Sequence, residues 1–263
     1  MKQVMSNIAG DRTPSHLAGG VYRSRFLREL CACPVIHDHM SGICGTRLAA
    51  HSLPSQQLYI NYSPEDISKA VDAWHFDGIG FDYVIMLSDP AKLRGGFFEY
   101  FKGTKFEIAE KFGIDVAKVR YGVTEDLEPE RVIQVRFPGP GYAIFQQGNM
   151  VVHRATRLEA PGDRITMVPG LVALDTTTPD PTATSDIFYY AEPGVFAEVA
   201  RHSAWLAQAK LSELIDQLPL TNDVESIENA IKKAIVDVTD TLEKLADRKA
   251  DQERQGGAIP KAT

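Results

Sequence analysis

A series of short apolar runs, separated by turn residues, occupies the middle of this chain from about residue 57 to residue 174. Runs of this length suit β-strands, and turn signals such as Ser88-Asp89-Pro90 and Pro138-Gly139-Pro140-Gly141 separate them. Many short strands are typical of a β-sandwich or a jelly roll. The predicted strands are Gln57 to Tyr62, Tyr83 to Leu87, Phe97 to Phe101, Val132 to Phe137, Ala143 to Phe145, Met150 to His153 and Arg164 to Leu174, with a helical insertion at Lys105 to Phe112.

Helices are predicted on both sides of this β-rich region. A short helix is expected over Val21 to Cys33, and two long helices over Pro193 to Leu218 and Val224 to Arg248. Apolar residues in the last helix recur every three or four positions, so it has one apolar stripe. That stripe fits packing on the rest of the chain, and it also fits a homodimer formed through the C-terminal helices.

The expected fold class is therefore an all-β core with flanking helices and a C-terminal helical hairpin. We expect residues 1–56 to be a helical and loop segment that packs on the core, and residues 57–190 to be the core itself. Residues 191–250 would be the C-terminal helices, acting as a lid or in dimerisation, and residues 251–263 a flexible tail.

Composition narrows the class of protein and of partner. The chain is 44% hydrophobic and 24% charged, as in ordinary globular proteins, and its net charge of −7 disfavours a nucleic-acid or anionic-membrane surface. No apolar run is long enough to span a bilayer, and Met1 to Gly20 lacks the apolar centre of a signal peptide. Three cysteines are too few for a disulfide scaffold. We expect a cytoplasmic protein with a small-molecule partner.

One group of residues in the β-rich region is suited to binding a metal. His75 and Asp77 are two positions apart, and on a strand or strand end two such side chains point the same way. His153 ends the apolar run Met150 to Val152, on a strand distant in sequence. Two imidazoles and one carboxylate on one face of a ferrous ion leave three positions open for substrate and oxygen chemistry. Arg164 begins the next apolar run, and a guanidinium can hold a carboxylate with two parallel hydrogen bonds.

The order of these motifs resembles the core of the iron(II)- and 2-oxoglutarate-dependent dioxygenases, most closely the prolyl 4-hydroxylase-like branch. His75-Phe76-Asp77 is followed by a strand, by the paired glycines Gly95-Gly96, and by the strand that contains Gly139-Pro140-Gly141. His153 and Gly162-Asp163-Arg164 come next. The resemblance implies a double-stranded β-helix with Fe(II), 2-oxoglutarate and O2 as cofactor and co-substrates. His75, Asp77 and His153 would bind iron, and Arg164 the distal carboxylate of 2-oxoglutarate.

The resemblance also implies further contacts and a reaction. Tyr62 is the candidate for a tyrosine that hydrogen-bonds the same carboxylate, whereas Met86 stands where the family commonly has tyrosine on the following strand. Arg94 and Arg157 are candidate substrate contacts. The implied reaction is hydroxylation of a small molecule such as an amino acid or a natural-product intermediate, or another oxidation of an unactivated C–H bond. Succinate and CO2 would be the co-products.

Three alternatives remain open on the sequence alone. One is a prolyl or other protein hydroxylase of the same superfamily, and another is a jelly-roll binding protein without enzymatic activity. The third is an interaction module stabilised by zinc through a dense group of possible ligands, Cys31, Cys33, His37, His39 and Cys44. The cysteine spacing is too compressed for an ordinary tetrahedral zinc site, so this segment is more simply a helix-loop segment near the mouth of the site.

Overall fold

The structure is a computed structural model, and it describes residues 15–119, 127–175, 179–188 and 194–254. Two compact units can be distinguished in it: the first comprises the chain up to Leu174 together with Asp180–Ala183, and the second comprises Asp175–Pro179 and the chain from Thr184 onward. The expectations for residues 1–14 and for residues 255–263 lie outside the described residues, whereas residues 251–254 of the expected tail continue the last helix.

The described part of the first unit contains strands and short helices. The strands are β1 (His16–Ala18), β2 (Leu48–Ala50), β3 (Tyr59–Tyr62), β4 (Ala70–His75), β5 (Phe81–Met86), β6 (Phe98–Phe101), β7 (Val132–Val135), β8 (Ala143–Gln146), β9 (His153–Arg157), β10 (Ile165–Val168) and β11 (Gly170–Ala173). The helices are α1 (Arg25–Cys31), α2 (Pro34–Cys44), α3 (Lys105–Phe112) and α4 (Val116–Val119).

Eight consecutive strands pair in a nested order, and every pair is antiparallel. β3 pairs with β10, β4 with β9, β5 with β8, and β6 with β7. This is the pairing of one long hairpin folded back on itself, and further pairings complete a seven-stranded and a four-stranded sheet. The expectation of an antiparallel, jelly-roll-like β core with C-terminal helices is confirmed at this level.

One apolar cluster joins the two sheets. Val84 and Met86 of β5 pack with Phe98 of β6 and with Phe137. On the outer side of the four-stranded sheet, Trp74 and Phe101 pack with Ile108 of α3. Helices α1 and α2 contribute residues to two further clusters on strands of the seven-stranded sheet. The core therefore has one layer between the sheets and one outside each sheet.

Several element boundaries differ from the sequence prediction. Met150 to Val152 was expected to be a strand ending at His153, but the chain turns there, with the Met150 amide donating to the Gln147 carbonyl at 3.0 Å, and β9 begins at His153. The single run Arg164 to Leu174 is two strands, because Pro169 lies between β10 and β11. β4 was not predicted as a separate run, and α2 extends the helical N-terminal segment.

The described part of the second unit is helical. It contains α5 (Thr184–Ile187), α6 (Val195–Gln217) and α7 (Val224–Arg254). Helices α6 and α7 pack on each other, with the Lys210 ammonium 2.6 Å from the Asp237 carboxylate and the Ser203 hydroxyl 2.5 Å from that of Thr241. These two helices are the predicted C-terminal hairpin, and the homodimer stays a prediction. In the described ranges, no helix has both the length and the apolar character needed to cross a membrane.

Candidate metal centre

The pairing of β4 with β9 brings two histidines together that are far apart in sequence. His75 at the end of β4 lies directly opposite His153 at the start of β9 in the antiparallel register. The register shifts between Asp72 and His75, an irregularity of the kind that re-aims a side chain at a strand end. The two imidazole centroids are 4.3 Å apart. Strand pairing, rather than any local motif, therefore creates the two-histidine part of the site.

Asp77 completes the group from just beyond the end of β4. Its Oδ1 lies 3.4 Å from His75 Nε2, and its Oδ2 lies 3.4 Å from His153 Nε2. The Asp77 amide donates to the Gly148 carbonyl at 2.8 Å. His75 and Asp77 lie close together, as the sequence predicts. Asp77 lies beyond the end of the strand, however, so the hydrogen bond to Gly148 helps to position it in addition to the direction of β4.

The hydrogen bonds of both imidazoles direct their Nε2 atoms toward Asp77. His75 Nδ1 lies 2.6 Å from the Ala73 carbonyl, and His153 Nδ1 lies 3.0 Å from the Val151 carbonyl. A carbonyl can only accept, so each Nδ1 carries the proton, and the neutral ring has its lone pair on Nε2. Metal-binding histidines are commonly oriented in this way by a backbone carbonyl.

His153 is kept in the form that can bind a metal. Burial lowers its pKa to about 4, an effect that the nearby Asp77 carboxylate opposes, so the ring is neutral near pH 7. Phe98 stacks on the same imidazole with ring centroids 5.5 Å apart. The three side chains offer one ligand atom each, all within 4.8 Å of one another. Two buried histidines and one half-buried carboxylate fit the donors that ferrous iron prefers in oxygenases.

Arg164 is buried in the same unit, at 1% exposure. Its Nε donates to the Gly96 carbonyl at 2.7 Å, and its Nη1 lies 3.4 Å from the Thr166 hydroxyl. Burial lowers its pKa to about 10 and Asp72 opposes that effect, so the guanidinium still carries its charge at pH 7. Both of these hydrogen bonds go to neutral groups, and the carboxylate that acts on the guanidinium electrostatically is that of Asp72.

The backbone around Arg164 is shaped to accept it. Gly96 has a φ of +68°, which residues with a side chain rarely adopt, and a Cβ there would lie 2.7 Å from Arg164 Cδ. Arg164 and Thr166 are two positions apart and so share a face with Val168, which packs in the cluster between the sheets. The guanidinium therefore enters the unit from the interior face of the seven-stranded sheet.

The sequence also predicts co-substrate or substrate contacts for Tyr62, Arg94 and Arg157. Tyr62 pairs with Ile165 and packs in the outer cluster with Leu17 and Ile60, so its ring is on the opposite face of the sheet from Thr166. The structure therefore does not bring Tyr62 to the guanidinium. Arg94 and Arg157 are both exposed. Arg157 shares a face of β9 with His153 by alternation, and its contact with substrate stays a prediction, as does that of Arg94.

The cysteine- and histidine-rich N-terminal segment does not form a metal site. In the described residues, the only group of three or more possible ligands close enough to share an ion is His75, Asp77 and His153. His37 Nε2 lies 2.8 Å from the Cys31 carbonyl. Burial raises the pKa of Cys31 to about 11, so this thiol is not a thiolate at neutral pH. The zinc interpretation is therefore not supported.

Two residues beside the metal group were missed by sequence reasoning. Asp82 is fully buried on β5, and its register partner on β8 is Gln146, whose amide nitrogen lies 2.9 Å from Asp82 Oδ1 and 3.2 Å from Asp77 Oδ2. Burial, and then the neighbouring Asp77 charge, raise the pKa of Asp82 well above its ordinary value. The available signal was a carboxylate at the inward-facing position of an otherwise apolar strand, two residues before Val84.

A cleft of about 640 Å³ lies on the outer face of the four-stranded sheet. Its lining includes Trp74, Glu99, Gln134 and Arg154, one residue from each of the four strands. Trp74 precedes His75 and Arg154 follows His153, and successive strand residues point to opposite faces. Arg154 and His153 therefore face away from each other, which places the cleft lining behind the strands that carry the two histidines.

Comparison with known proteins gives a distant likeness among solved structures. No protein-family model matches the chain, and no curated protein does. Among solved structures, it is similar to the crystal structure of the non-heme alpha ketoglutarate dependent epimerase SnoN from nogalamycin biosynthesis, with 14% identity and a TM-score of 0.40. The likeness covers 60% of each chain, so the matched part is less than two thirds of that protein's length.

Proposed function

We propose that this protein is a non-haem iron(II)- and 2-oxoglutarate-dependent oxygenase that oxidises an unactivated C–H bond of a small molecule, with succinate and CO2 as co-products. The observation that carries the proposal is that His75, His153 and Asp77 each offer a ligand atom within 4.8 Å of the others, with each Nε2 3.4 Å from an Asp77 oxygen. Both imidazoles are oriented by backbone carbonyls, and two histidines with one carboxylate leave neighbouring metal positions open.

The surroundings of Arg164 support a dicarboxylate co-substrate. A buried cation normally has a counter-ion, because taking a charge out of water is costly unless it is paired. Arg164 uses its Nε and Nη1 on a carbonyl and a hydroxyl, both neutral groups. A guanidinium presents five N–H donors, so a ligand carboxylate can be held by those that remain. A ligand with a second carboxylate and an adjacent keto oxygen could then reach the metal.

The strand order supports the finer fold assignment. Nested pairing of eight strands, β3 with β10 through to β6 with β7, is what a double-stranded β-helix requires. In this arrangement the histidines come from the four-stranded sheet and Arg164 precedes a strand of the other sheet. The metal ligands and the co-substrate anchor would thus approach one interior space from two sides.

The chain's own residues would have distinct tasks. His75, Asp77 and His153 would hold the iron, which when bound supplies the activation of O2 and the oxidative decarboxylation of 2-oxoglutarate. Arg164 would fix the distal carboxylate and so orient the other end of the co-substrate. Phe98, stacked on His153, shields that side of the site from water. The prolyl 4-hydroxylase-like branch stays a prediction, since no observation favours a peptide substrate over a small molecule.

The proposal is tested by anaerobic titration of the metal-free protein with Fe(II) and 2-oxoglutarate. The wild-type protein should develop the weak visible charge-transfer band of an iron-bound 2-oxo acid, and His75→Ala should abolish it. His39→Ala is the matched control, because His39 is an exposed histidine of α2, outside the metal group, and it should leave the band unchanged.

The same proteins then separate an oxygenase from a binding protein. In air, the wild-type chain should convert 2-oxoglutarate to succinate, and candidate small molecules that raise the rate would identify the substrate class. Absence of both the band and succinate formation in iron-loaded wild-type protein would overturn the proposal. A band without any succinate formation, across substrates, would favour a non-enzymatic jelly-roll protein.

A further inference from the structure

Gln146 lies where three polar groups of the metal centre meet. Its amide nitrogen is 3.2 Å from Asp77 Oδ2, 2.9 Å from Asp82 Oδ1 and 3.3 Å from His153 Nε2. The side chain is 7% exposed, and β8 places it directly opposite Asp82 of β5. Gln146 thus connects a buried carboxylate of the seven-stranded sheet to the carboxylate of the metal group.

The orientation of this amide follows from its neighbours. If it were turned by 180°, its oxygen would face oxygens of Asp77 and Asp82, which is unfavourable wherever those oxygens act only as acceptors. The Asp77 carboxylate only accepts, so the nitrogen points at its Oδ2, and the second hydrogen of the amide reaches Asp82 Oδ1. His153 Nε2 is then not needed as an acceptor for Gln146, and its lone pair remains available to a metal.

The backbone leaves room for this arrangement. A Cβ on Gly148 would collide with Asp82 Oδ2 and would lie 2.8 Å from Asp77 Oδ2. The two carboxylates and the amide are therefore packed directly against the turn that leads from β8 to β9. Neither Gln146 nor Asp82 is among the three metal-ligand candidates, so their burial beside them requires another explanation.

We propose that Gln146, held in place by Asp82, is a positioning residue that makes Asp77 bind the metal through a single oxygen. This inference rests on the proposed function and adds to it. The hydrogen bond from Gln146 holds Oδ2, so Oδ1, the oxygen beside His75, is the one that would bind the metal. A carboxylate that rotates and binds through both oxygens would occupy one of the positions needed by 2-oxoglutarate and O2.

The experiment uses Co(II) as the probe, because its visible spectrum reports the coordination of the metal without turnover. Metal-free wild-type protein, Gln146→Leu and Gln146→Asn are titrated with Co(II), and the Kd and the visible spectrum are recorded. The Leu variant removes the hydrogen bond at similar volume. The Asn variant keeps a buried amide but shortens it by one methylene, so it provides a second test if the Leu variant does not fold.

We expect both variants to weaken Co(II) binding by roughly 10- to 100-fold and to change the spectrum, as for other residues that orient metal ligands. Gln134→Leu is the matched control, because Gln134 is an exposed glutamine that donates to Glu99 on the outer face of the four-stranded sheet. It should leave the Kd and the spectrum unchanged.

Two outcomes count against different claims. If wild-type protein binds Co(II), His75→Ala abolishes that binding, and both Gln146 variants keep the wild-type Kd and spectrum, the positioning role is wrong while the metal site stands. If wild-type protein binds no Co(II) at the His75, Asp77 and His153 group, the proposed function itself fails, and the positioning role with it.

Discussion

Two arginines of the β-rich unit, Arg154 and Arg164, differ in the groups that surround their charges. On the outer face of the four-stranded sheet, the Arg154 Nε donates to Glu99 at 2.7 Å, and its guanidinium carbon lies 4.5 Å from the Trp74 ring centroid. Glu99 in turn accepts a hydrogen bond from Gln134 at 3.1 Å. Arg164 is more deeply buried, and the described residues offer it only neutral acceptors.

The two arginines therefore differ in how far the described residues satisfy their charges. Arg154 completes a chain of contacts that runs across all four strands from Trp74 to Gln134, so its charge is satisfied within the fold. Arg164 makes its hydrogen bonds to neutral groups, and Asp72 offsets only part of the cost of burying its charge. The predictions on Arg164 and Arg154 test this difference between the two arginines, and one on His153 tests the metal group. They are given in decreasing order of expected effect.

Replacing Arg164 by Met should remove co-substrate binding. A charge-assisted hydrogen bond is worth roughly 1.5–3 kcal/mol, so losing a bidentate contact should weaken 2-oxoglutarate binding by about 100-fold or more. Calorimetric titration of the anaerobic iron-loaded protein measures this. The free energy of unfolding without co-substrate should change little, because the variant loses two hydrogen bonds but also removes the cost of a buried charge. An unchanged affinity for 2-oxoglutarate would show that Arg164 is not the anchor.

The second prediction concerns the pH dependence of the stability of metal-free protein. The folded-state pKa of His153 is about 4, below its ordinary value of 6.5. Between these values the unfolded chain binds more protons, so stability present above pH 6.5 is lost as the pH falls toward 4. The loss attributable to His153 is on the order of 3 kcal/mol.

Urea unfolding of metal-free protein at several pH values measures this loss. His153→Gln should have a flatter pH profile over the same range, since Gln does not titrate. Identical slopes for the two proteins between pH 6.5 and pH 4 would show that His153 does not have the depressed pKa.

The smallest effect is expected on the outer face. Arg154→Met should lower the free energy of unfolding, and a double-mutant cycle with Glu99→Gln should give a coupling of about 1 kcal/mol, because the pair is only partly exposed. Arg154→Met is also the matched control for Arg164→Met, and it should leave the affinity for 2-oxoglutarate unchanged. A large loss of affinity in Arg154→Met would remove the contrast between the two faces.

Local patterns in the sequence predicted the elements of the fold better than their partners. Alternating or apolar runs gave most of the strands, and the three- and four-residue spacing gave the apolar stripe of α7, because these signals depend on neighbouring residues. The His75, Asp77 and His153 group was found through its resemblance to a family. Its geometry depends on the register of β4 against β9, which local patterns do not encode.

The positions of Tyr62, Gln146 and Asp82 could not be predicted from the sequence for the same physical reason. Tyr62 is the predicted hydrogen-bond partner of the 2-oxoglutarate carboxylate, but the register of β3 against β10 places it on the outer face. A shift of one residue in register reverses the face of every side chain on a strand. Gln146 and Asp82 become neighbours only when β8 pairs with β5, so their contact with Asp77 had no signal in the linear sequence beyond the buried charge itself.

The most direct test of the central claim is the position of a bound metal. Crystals grown anaerobically with Fe(II) and 2-oxoglutarate should give one strong anomalous peak at the iron edge, within coordination distance of His75 Nε2, His153 Nε2 and one oxygen of Asp77. A co-substrate carboxylate should lie against Arg164. An iron peak elsewhere, or no peak at these three side chains in iron-loaded crystals, would contradict the account.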